Sequence, residues 1–336
     1  MVAYSVLDLV PVIEGEQPGD ALRKSGELVQ HAEKLGFTRY WVAEHHNMTG
    51  IASAATSVVI GYLAGKTSTI RVGAGGIMLP NHAPLIIAEQ FGTLDALYPG
   101  RIDLGLGRAP GTDQMTMRAM RRSPMASDQF PQDVLEVQAF FAPAGPNQAI
   151  QAVPGAGQNV PLWILGSSTF GAQLAAELGL PYSFASHFAP DELMRAFAIY
   201  RDRFKPSEQQ AVPYAMPGIN VIAAETDEEA QHLASSLYQR FVGMVRGARG
   251  KLQPPLDIET YWSPAEKAHV QRMLRYAFIG SRETIRRELS AFVAATAADE
   301  IIVTAPIYDH AARLRSYKIV SEVAREIAPA KQFASA

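Results

Sequence analysis

The stretch YWVAEHH at residues 40–46 reads as a short buried strand that ends abruptly in a carboxylate and two imidazoles. A run such as Tyr-Trp-Val-Ala is typical of a strand that is covered on both faces. Barrels and open α/β sheets carry their chemistry at the carboxyl ends of strands, where Glu44, His45 and His46 would then lie. Taken alone, the stretch fits equally well a buried Glu–His pair that only holds a loop.

Strand-like and helix-like patterns alternate along nearly the whole chain. The strands are predicted at residues 3–10, 38–43, 69–76, 101–106, 161–165, 181–186, 213–224 and 299–306. A helix is expected after each strand, and the first three begin with Asp20 as a cap, with Ser53 and near Pro84. Eight such units in one chain predict an α/β fold of the (β/α)8 TIM barrel type rather than an open sheet.

No linker or shift in composition divides the 336 residues, so we expect a single barrel domain over residues 1–336 with insertions at about 107–160 and 247–278. The chain has no cysteine, which excludes disulfides, thiolate catalysis and thiolate metal ligands. The formal net charge is -3 and no basic block stands out, so binding to nucleic acid is not expected. No apolar run approaches the roughly 18 residues that span a bilayer, and no signal segment is apparent. These features predict a cytoplasmic protein without membrane segments.

Small and polar residues follow three further strands of the predicted barrel. Glycines at residues 73–76 and 105–107 would let a flat ligand lie close to the backbone, and Arg108 adds a fixed positive charge. The turn at residues 166–169, Gly-Ser-Ser-Thr, precedes a helix, where free backbone N–H groups and hydroxyls form an anion site. Ser168 or Thr169 can instead simply cap that helix, and the two interpretations are compatible.

A metal centre is not predicted. His45 and His46 are adjacent on an extended strand end, so their side chains point to opposite faces and rarely reach one ion. The common patterns of metal ligands, such as H-E-x-x-H or clustered carboxylates, are absent from the sequence.

Five segments in order resemble the bacterial luciferase-like monooxygenases, a family of flavin-dependent barrel enzymes. They are WVAEHH at 41–46, RVGAGGIMLP at 71–80, PGRIDLGLGR at 99–108, GSSTFGAQLAAELGLP at 166–181 and FIGSRETIRREL at 278–289. The resemblance covers essentially the whole chain. It implies a barrel that binds reduced FMN at the carboxyl ends of the strands, receives it from a separate flavin reductase, and uses O2 to oxygenate a small, largely apolar organic substrate.

The resemblance also implies roles for particular residues. His45 matches the first histidine of the E-H-H motif, which handles protons near the flavin, and Arg108 matches an arginine that contacts the flavin phosphate. Gly166, Ser167 and Ser168 lie in the matching phosphate-binding turn. Ala74 and Gly75 match a non-proline cis peptide under the isoalloxazine ring.

One departure concerns Gly107, which stands where luciferase carries a reactive cysteine. Light emission is therefore not expected, and the chain resembles the family's uncharacterised bacterial branch. Two alternatives stay open, namely a hydride-transferring oxidoreductase that uses the deazaflavin F420 and a non-enzymatic flavin-binding protein. The resemblance further implies a homodimer through the helices at about 53–65 and 83–97, with Ile60, Leu63 and Ile87 buried between the subunits.

Overall fold

The computed structural model describes residues 2–327 and contains one parallel sheet flanked by helices. The strands are β1 Ala3–Asp8, β2 Arg39–Val42, β3 Arg71–Met78, β4 Ile102–Gly107, β5 Leu162–Gly166, β6 Tyr182–Phe184, β7 Ala215–Ala224, β8 Ala277–Ser281 and β9 Glu300–Thr304. The helices are α1 Pro18–Leu35, α2 Thr56–Ala64, α3 Pro84–Leu97, α4 Gln114–Ala119, α5 Phe130–Phe141, α6 Thr169–Leu178, α7 Leu193–Arg203, α8 Asp227–Val245, α9 Pro264–Met273, α10 Arg282–Thr296 and α11 His310–Ala324. Short 3-10 turns occupy Leu79–Asn81, Ala126–Gln129 and Ile258–Thr260.

Eight of the strands close into a ring. Strands β1 to β7 pair in sequence order, β7 pairs with β9, and β9 returns to β1, always in parallel. The predicted (β/α)8 TIM barrel is therefore confirmed. A closed parallel ring brings the carboxyl ends of all eight strands to one face, where the loops that follow them meet.

Strand β8 is an additional strand that was not predicted from the sequence, and it begins where the insertion expected at about 247–278 ends. It lies outside the ring and pairs only with the second half of β7, where Asn220 to Ala224 align with Ala277 to Ser281. This pairing is possible because β7 continues for ten residues, beyond the part that contacts β9. The residues between α8 and β8 also form the 3-10 turn at Ile258–Thr260 and helix α9.

Two helix starts differ from the prediction. Helix α1 begins at Pro18, since proline lacks the N–H group that a first-turn residue leaves unused. Asp20 therefore lies inside the first turn, where its carboxylate accepts a hydrogen bond from the Gln17 N–H at 2.9 Å. Helix α2 begins at Thr56 rather than Ser53, whose hydroxyl donates instead to the Ala43 carbonyl at 2.5 Å.

The barrel has two separate apolar regions. A large one lies between the strands and the surrounding helices. A smaller one fills the barrel interior with Leu7, Trp41, Ala43, Trp163, Met216 and Ile302. The rings of Trp41 and Trp163 pack edge to face with centroids 5.1 Å apart. This interior layer forms a solid floor beneath the carboxyl ends of the strands.

Below this floor, a buried network of charged residues closes the amino-terminal end of the barrel. Arg39 contacts the Asp103 carboxylate at 2.7 Å and the Glu300 carboxylate at 2.8 Å. Tyr214 donates to Glu300 at 2.9 Å, and Arg71 contacts Asp103 at 2.6 Å. Because each buried charge has an opposite partner, the network holds the starts of β2, β3, β4 and β9 together.

The residues expected between two subunits lie elsewhere. Ile60, Leu63 and Ile87 are completely buried within a single chain, so that expectation is wrong for these side chains. Other apolar residues of α2 and α3 face outward, namely Val58, Tyr62, Ile86 and Leu97. Among the described residues, no helix combines the length and the apolar character needed to cross a membrane.

Candidate active site

A cavity of about 390 Å³ opens at the carboxyl ends of the strands, above the tryptophan floor. Its lining combines the floor residues with loop residues from β2 to β6, and includes Leu7, Trp41, His45, Gly75, Gly76, Gly107, Arg108, Gly166, Ser167, His187 and Ile302. Five of the residues predicted from the sequence, His45, Gly75, Arg108, Gly166 and Ser167, therefore surround one space. Ala74 and Ser168 are not among the lining residues.

The glycines at the end of β3 form one wall of this cavity. The non-proline cis peptide joins Gly75 to Gly76, so the expected position between Ala74 and Gly75 is wrong by one residue. The Ala74 side chain is completely buried in the outer core, since neighbouring strand residues point to opposite faces. A Cβ atom on Gly75 would lie 2.9 Å from the Trp41 ring, and one on Gly76 would lie 2.6 Å from the Gly105 carbonyl oxygen. Only glycine fits at both positions, which leaves bare backbone facing the cavity.

Glu44 supports this wall from behind. Its buried carboxylate accepts hydrogen bonds from the Met78 N–H at 2.9 Å and from the Asn81 amide at 3.1 Å. Ring nitrogens of His46 and His82 lie 2.6 Å and 2.9 Å from the same carboxylate. Burial alone would raise the pKa of Glu44, but the hydrogen bonds from His46 and His82 and the Met78 N–H outweigh it and lower the pKa to about 2. The carboxylate thus ties the ends of β2 and β3 together.

Glu44, His46 and His82 also have donor atoms within 4.8 Å of one another, close enough to hold a metal ion. In the structure both imidazoles hydrogen-bond to the carboxylate that would have to share the ion. None of the three residues lines the cavity. The absence of a metal site stays a prediction; in the structure the three side chains are joined to one another by hydrogen bonds.

His45 occupies a different environment from its neighbours. Its ring lines the cavity, and its buried Nδ1 atom has no hydrogen-bond partner within residues 2–327. Burial and the nearby charge of Arg240 lower the pKa of His45 to about 4. The imidazole is therefore neutral at neutral pH and has a ring nitrogen free for a ligand.

His187, in the loop after β6, has the same two properties. Its Nδ1 is buried without a partner in the described residues, and burial together with the charges of Arg240 and His45 lowers its pKa to about 3. The Asn220 amide holds the loop by donating to the His187 carbonyl at 2.6 Å. The sequence offered only the position of His187 after a strand, which did not distinguish it from an ordinary surface histidine.

Arg108 and Ser167 lie on the rim of the cavity. The Arg108 guanidinium stacks on the Phe170 ring at 4.1 Å, and it has no ion-pair partner among residues 2–327. Ser168 is the N-cap residue of α6, but its hydroxyl makes no capping hydrogen bond. The first N–H groups of α6, the Ser167 hydroxyl and the Arg108 charge are thus available to an anion on this rim.

A second cavity of about 440 Å³ adjoins the first. Residues that line both cavities include Leu9, His45, Met48, His187, Phe188 and Arg249. The far wall is a face of α8 that carries Leu237, Arg240, Phe241 and Met244. These residues recur every three or four positions, so they share one face of the helix. An arginine on an otherwise apolar helical face is the sequence signal by which Arg240 could have been found.

Comparisons with known proteins give a uniform picture. A family model described as luciferase-like monooxygenase matches residues 4–300. A protein of Escherichia coli strain K12 called luciferase-like monooxygenase is 52% identical over 328 residues, which cover 97% of this chain and 98% of that protein. The N-acetyl-S-alkylcysteine monooxygenase of Bacillus subtilis strain 168 is 31% identical over 331 residues, covering 96% and 98% of the two chains.

Solved structures agree with this likeness. The apo structure of MsnO8 has a TM-score of 0.86 and 34% identity, covering 98% of this chain and all of that one. The oxygenating constituent of 3,6-diketocamphane monooxygenase from Pseudomonas putida, solved with FMN, has a TM-score of 0.73 and 16% identity over 98% and 100% of the chains. An F420-dependent secondary alcohol dehydrogenase has a TM-score of 0.70 and 16% identity over 96% and 98%. The last two likenesses concern the fold alone.

Proposed function

Since this chain belongs to the luciferase-like monooxygenase family, we propose that it takes reduced FMN from a separate flavin reductase and uses O2 to oxygenate a small, largely apolar organic substrate. The family membership confirms two predictions from the sequence, namely the family resemblance and the enzyme class of flavin-dependent monooxygenase. The observation that carries the finer proposal is the convergence of His45, Gly75, Arg108 and Ser167 on one cavity.

The residues of the first cavity fit FMN. Bare backbone at Gly75 and Gly76 leaves room for the flat ring system, and the rim at Arg108 and Ser167 offers an unpaired positive charge and hydroxyl for its phosphate. Gly166 and Ser168 complete the same turn. When bound, reduced FMN supplies the electrons that activate O2. A protein of this fold has been solved in complex with FMN.

His45 is the proposed catalytic residue. Its ring lines the cavity and is neutral at neutral pH, and its buried Nδ1 has no partner within residues 2–327, so the ring can accept a proton from a reacting group there or hold one by hydrogen bonding. Glu44 and His46 keep the loop in place without touching the cavity. The walls of the cavity around His45 are mostly apolar.

One relative is named for N-acetyl-S-alkylcysteines, which combine a thioether with a carboxylate. Such compounds belong in a first substrate screen, next to simple thioethers, ketones and aldehydes. The screen would supply reduced FMN through any generic flavin reductase and follow product by mass spectrometry under 18O2.

We also include a homodimer in the proposal, now through the outward-facing residues Val58, Tyr62, Ile86 and Leu97 of α2 and α3. Neighbouring exposed apolar side chains on two adjacent helices are a common basis for a subunit contact. A cytoplasmic location follows from the proposed reliance on a reductase in the same compartment. Light scattering of the purified protein measures the oligomeric state.

The decisive experiment mixes the purified protein with photoreduced FMN without oxygen and then adds O2. Binding of reduced FMN at micromolar concentration and a protein-dependent change in the rate of flavin reoxidation are expected. If FMN does not bind, the proposal fails. If F420 displaces FMN and O2 is left untouched, the F420-dependent oxidoreductase is the better description. If FMN binds but no compound is ever oxygenated, the protein is a flavin binder and not an enzyme.

A further inference from the structure

The second cavity contains a charge that nothing in the fold explains. Arg240 lies on the cavity-facing side of α8 among Leu237, Phe241 and Met244. Within residues 2–327 its guanidinium has no ion pair and no hydrogen bond, and burial lowers its pKa to about 10. An arginine of this kind is costly in the empty protein, because its charge is partly withdrawn from water and gains no partner.

The remaining lining does not compensate for this charge. Arg249 and Lys251 add two more cations, and no aspartate or glutamate lines the cavity. Lys251 already donates to the Glu16 carbonyl at 2.6 Å, whereas Arg249 is exposed at the mouth. His45 and His187 are neutral at neutral pH, since their pKa values lie at about 4 and 3. The cavity therefore carries an uncompensated positive charge that favours an anion.

The other walls are apolar. Residues with hydrocarbon or aromatic side chains dominate the lining, among them Ile51, Phe188, Leu237, Phe241, Tyr261 and Pro306. A ligand that satisfies both features has one anionic group and an apolar body. At about 440 Å³ the cavity is of the size in which proteins bind small organic molecules.

We propose that the second cavity is the substrate pocket, and that it selects organic acids whose carboxylate pairs with Arg240 while the apolar body extends past His45 and His187 toward the first cavity. This inference rests on the proposed monooxygenase function and names its substrate class. The shared residues at the junction allow one molecule to reach from one cavity into the other. Arg249 at the mouth attracts the acid, and Arg240 holds it at the depth that places its far end beside His45.

The phosphate of FMN is a competing source of negative charge. The first cavity has its own anion rim at Arg108 and Ser167, which leaves Arg240 for a different ligand. The two arginines are therefore expected to act separately. Arg240 discriminates between an acid and its neutral analogue, and Arg108 discriminates between FMN and riboflavin.

The test compares straight-chain carboxylates from butanoate to decanoate with the matching primary amides. Binding is measured by ligand-observed NMR and calorimetry, with and without oxidised FMN. At least one carboxylate is expected to bind the native protein about ten-fold or more tightly than its amide. Arg240→Met removes that preference, Arg240→Lys keeps part of it, and Arg203→Met, which removes an exposed charge far from the cavities, leaves it intact.

Three results would overturn the proposal: no carboxylate binds, acid and amide bind equally, or Arg240→Met keeps the preference for the acid. A loss of FMN affinity in Arg240→Met with unchanged riboflavin affinity would assign Arg240 to the cofactor phosphate instead. Because acid binding is also measured without flavin, failure of this proposal is distinguishable from failure of FMN binding. Circular dichroism and thermal unfolding of each variant establish that it is folded.

Discussion

His45 and His187 stand at the junction of the two cavities, each with a buried Nδ1 atom that has no hydrogen-bond partner within residues 2–327. One follows β2 and the other follows β6, so the closed barrel brings them together from distant parts of the sequence. Leaving two buried acceptors or donors unpaired costs free energy, and such groups concentrate where a ligand is expected to supply the partner.

The first prediction concerns the proposed proton-transfer role. His45→Ala is expected to lower kcat by about 10²- to 10⁴-fold, the usual contribution of a positioned acid or base, while the affinity for FMN changes little. Product formation is measured with a generic reductase, and FMN binding by fluorescence quenching. His232→Ala, an exposed histidine on α8, is the matched control. Unchanged turnover in His45→Ala would remove His45 from catalysis.

The second prediction concerns stability against pH. His187 has a pKa of about 3 in the folded state, against the usual 6.5, because it is buried near Arg240. Between these values the unfolded chain binds a proton that the folded chain does not, so stability falls as the pH drops below about 6.5. His187→Gln cannot bind this proton and is expected to lose less stability.

Urea unfolding at about pH 7.5 and about pH 5 measures how much unfolding free energy each protein loses on acidification. We expect the native protein to lose about 1–2 kcal/mol more than His187→Gln. Half-buried histidines far from His187, such as His31 and His310, titrate identically in both proteins and cancel in the comparison. Equal losses for the native protein and the variant would contradict the assigned burial of His187.

The third prediction separates cofactor recognition from catalysis. Arg108 is exposed on the rim and unpaired apart from its stacking on Phe170, so it is free to contact a phosphate. Arg108→Met is expected to weaken FMN binding by roughly ten-fold to a hundred-fold, as for the loss of a charge-assisted hydrogen bond, and to leave riboflavin binding unchanged. Arg118→Met, which removes an exposed charge from the nearby α4, is the control. A parallel loss for riboflavin would indicate a structural defect.

The strand ends were predictable because buried apolar runs, glycines and polar turns mark them in the sequence. For this reason the sequence predicts His45, Gly75, Arg108 and Ser167 at strand ends, and all four line one cavity in the structure. The cis peptide lies one residue further along the chain than the resemblance implies, between Gly75 and Gly76. Ala74 is buried in the outer core instead.

The second cavity was not predictable in the same way. Arg240 lies in the middle of α8 and Arg249 in the loop after it, far in sequence from the strand ends. Only the packing of α8 beside the barrel mouth decides that one of its faces opens on a cavity. The spacing of Leu237, Arg240, Phe241 and Met244 indicates a helical face that is apolar apart from one arginine. It does not indicate which part of the protein that face contacts. The charged network around Arg39 was missed for the same reason, because Arg39, Arg71, Asp103 and Glu300 come from four separate strands.

The fourth prediction tests that network. Arg39→Met leaves the buried carboxylates of Glu300 and Asp103 without the cation that contacts both. Removing one partner from a buried ion pair typically costs about 3–5 kcal/mol, and we expect the free energy of unfolding to fall by that amount. Denaturant titration measures the loss, and Arg23→Met, which breaks an exposed pair with Asp20, is expected to change stability by less than about 1 kcal/mol. A mild effect of Arg39→Met would show that the carboxylates take up protons or water instead.

The fifth prediction follows from the cost of the unpaired Arg240. Folding lowers the pKa of this arginine from 12.5 to about 10, so at neutral pH the charged side chain is less stable in the folded protein than in the unfolded chain. Arg240→Met removes this cost and keeps a side chain of similar length, and we expect it to raise the free energy of unfolding by about 1–3 kcal/mol. Thermal and urea unfolding of the ligand-free protein measure the gain.

An organic acid is expected to make the native protein more stable than Arg240→Met, the opposite of the order without ligand. A ligand that binds only the folded state stabilises it in proportion to the logarithm of its concentration over its dissociation constant. Decanoate is therefore expected to raise the unfolding temperature of the native protein and to leave Arg240→Met nearly unchanged. If Arg240→Met is instead less stable than the native protein without ligand, the arginine serves the fold. The idea that its charge is held ready for a substrate would then be wrong.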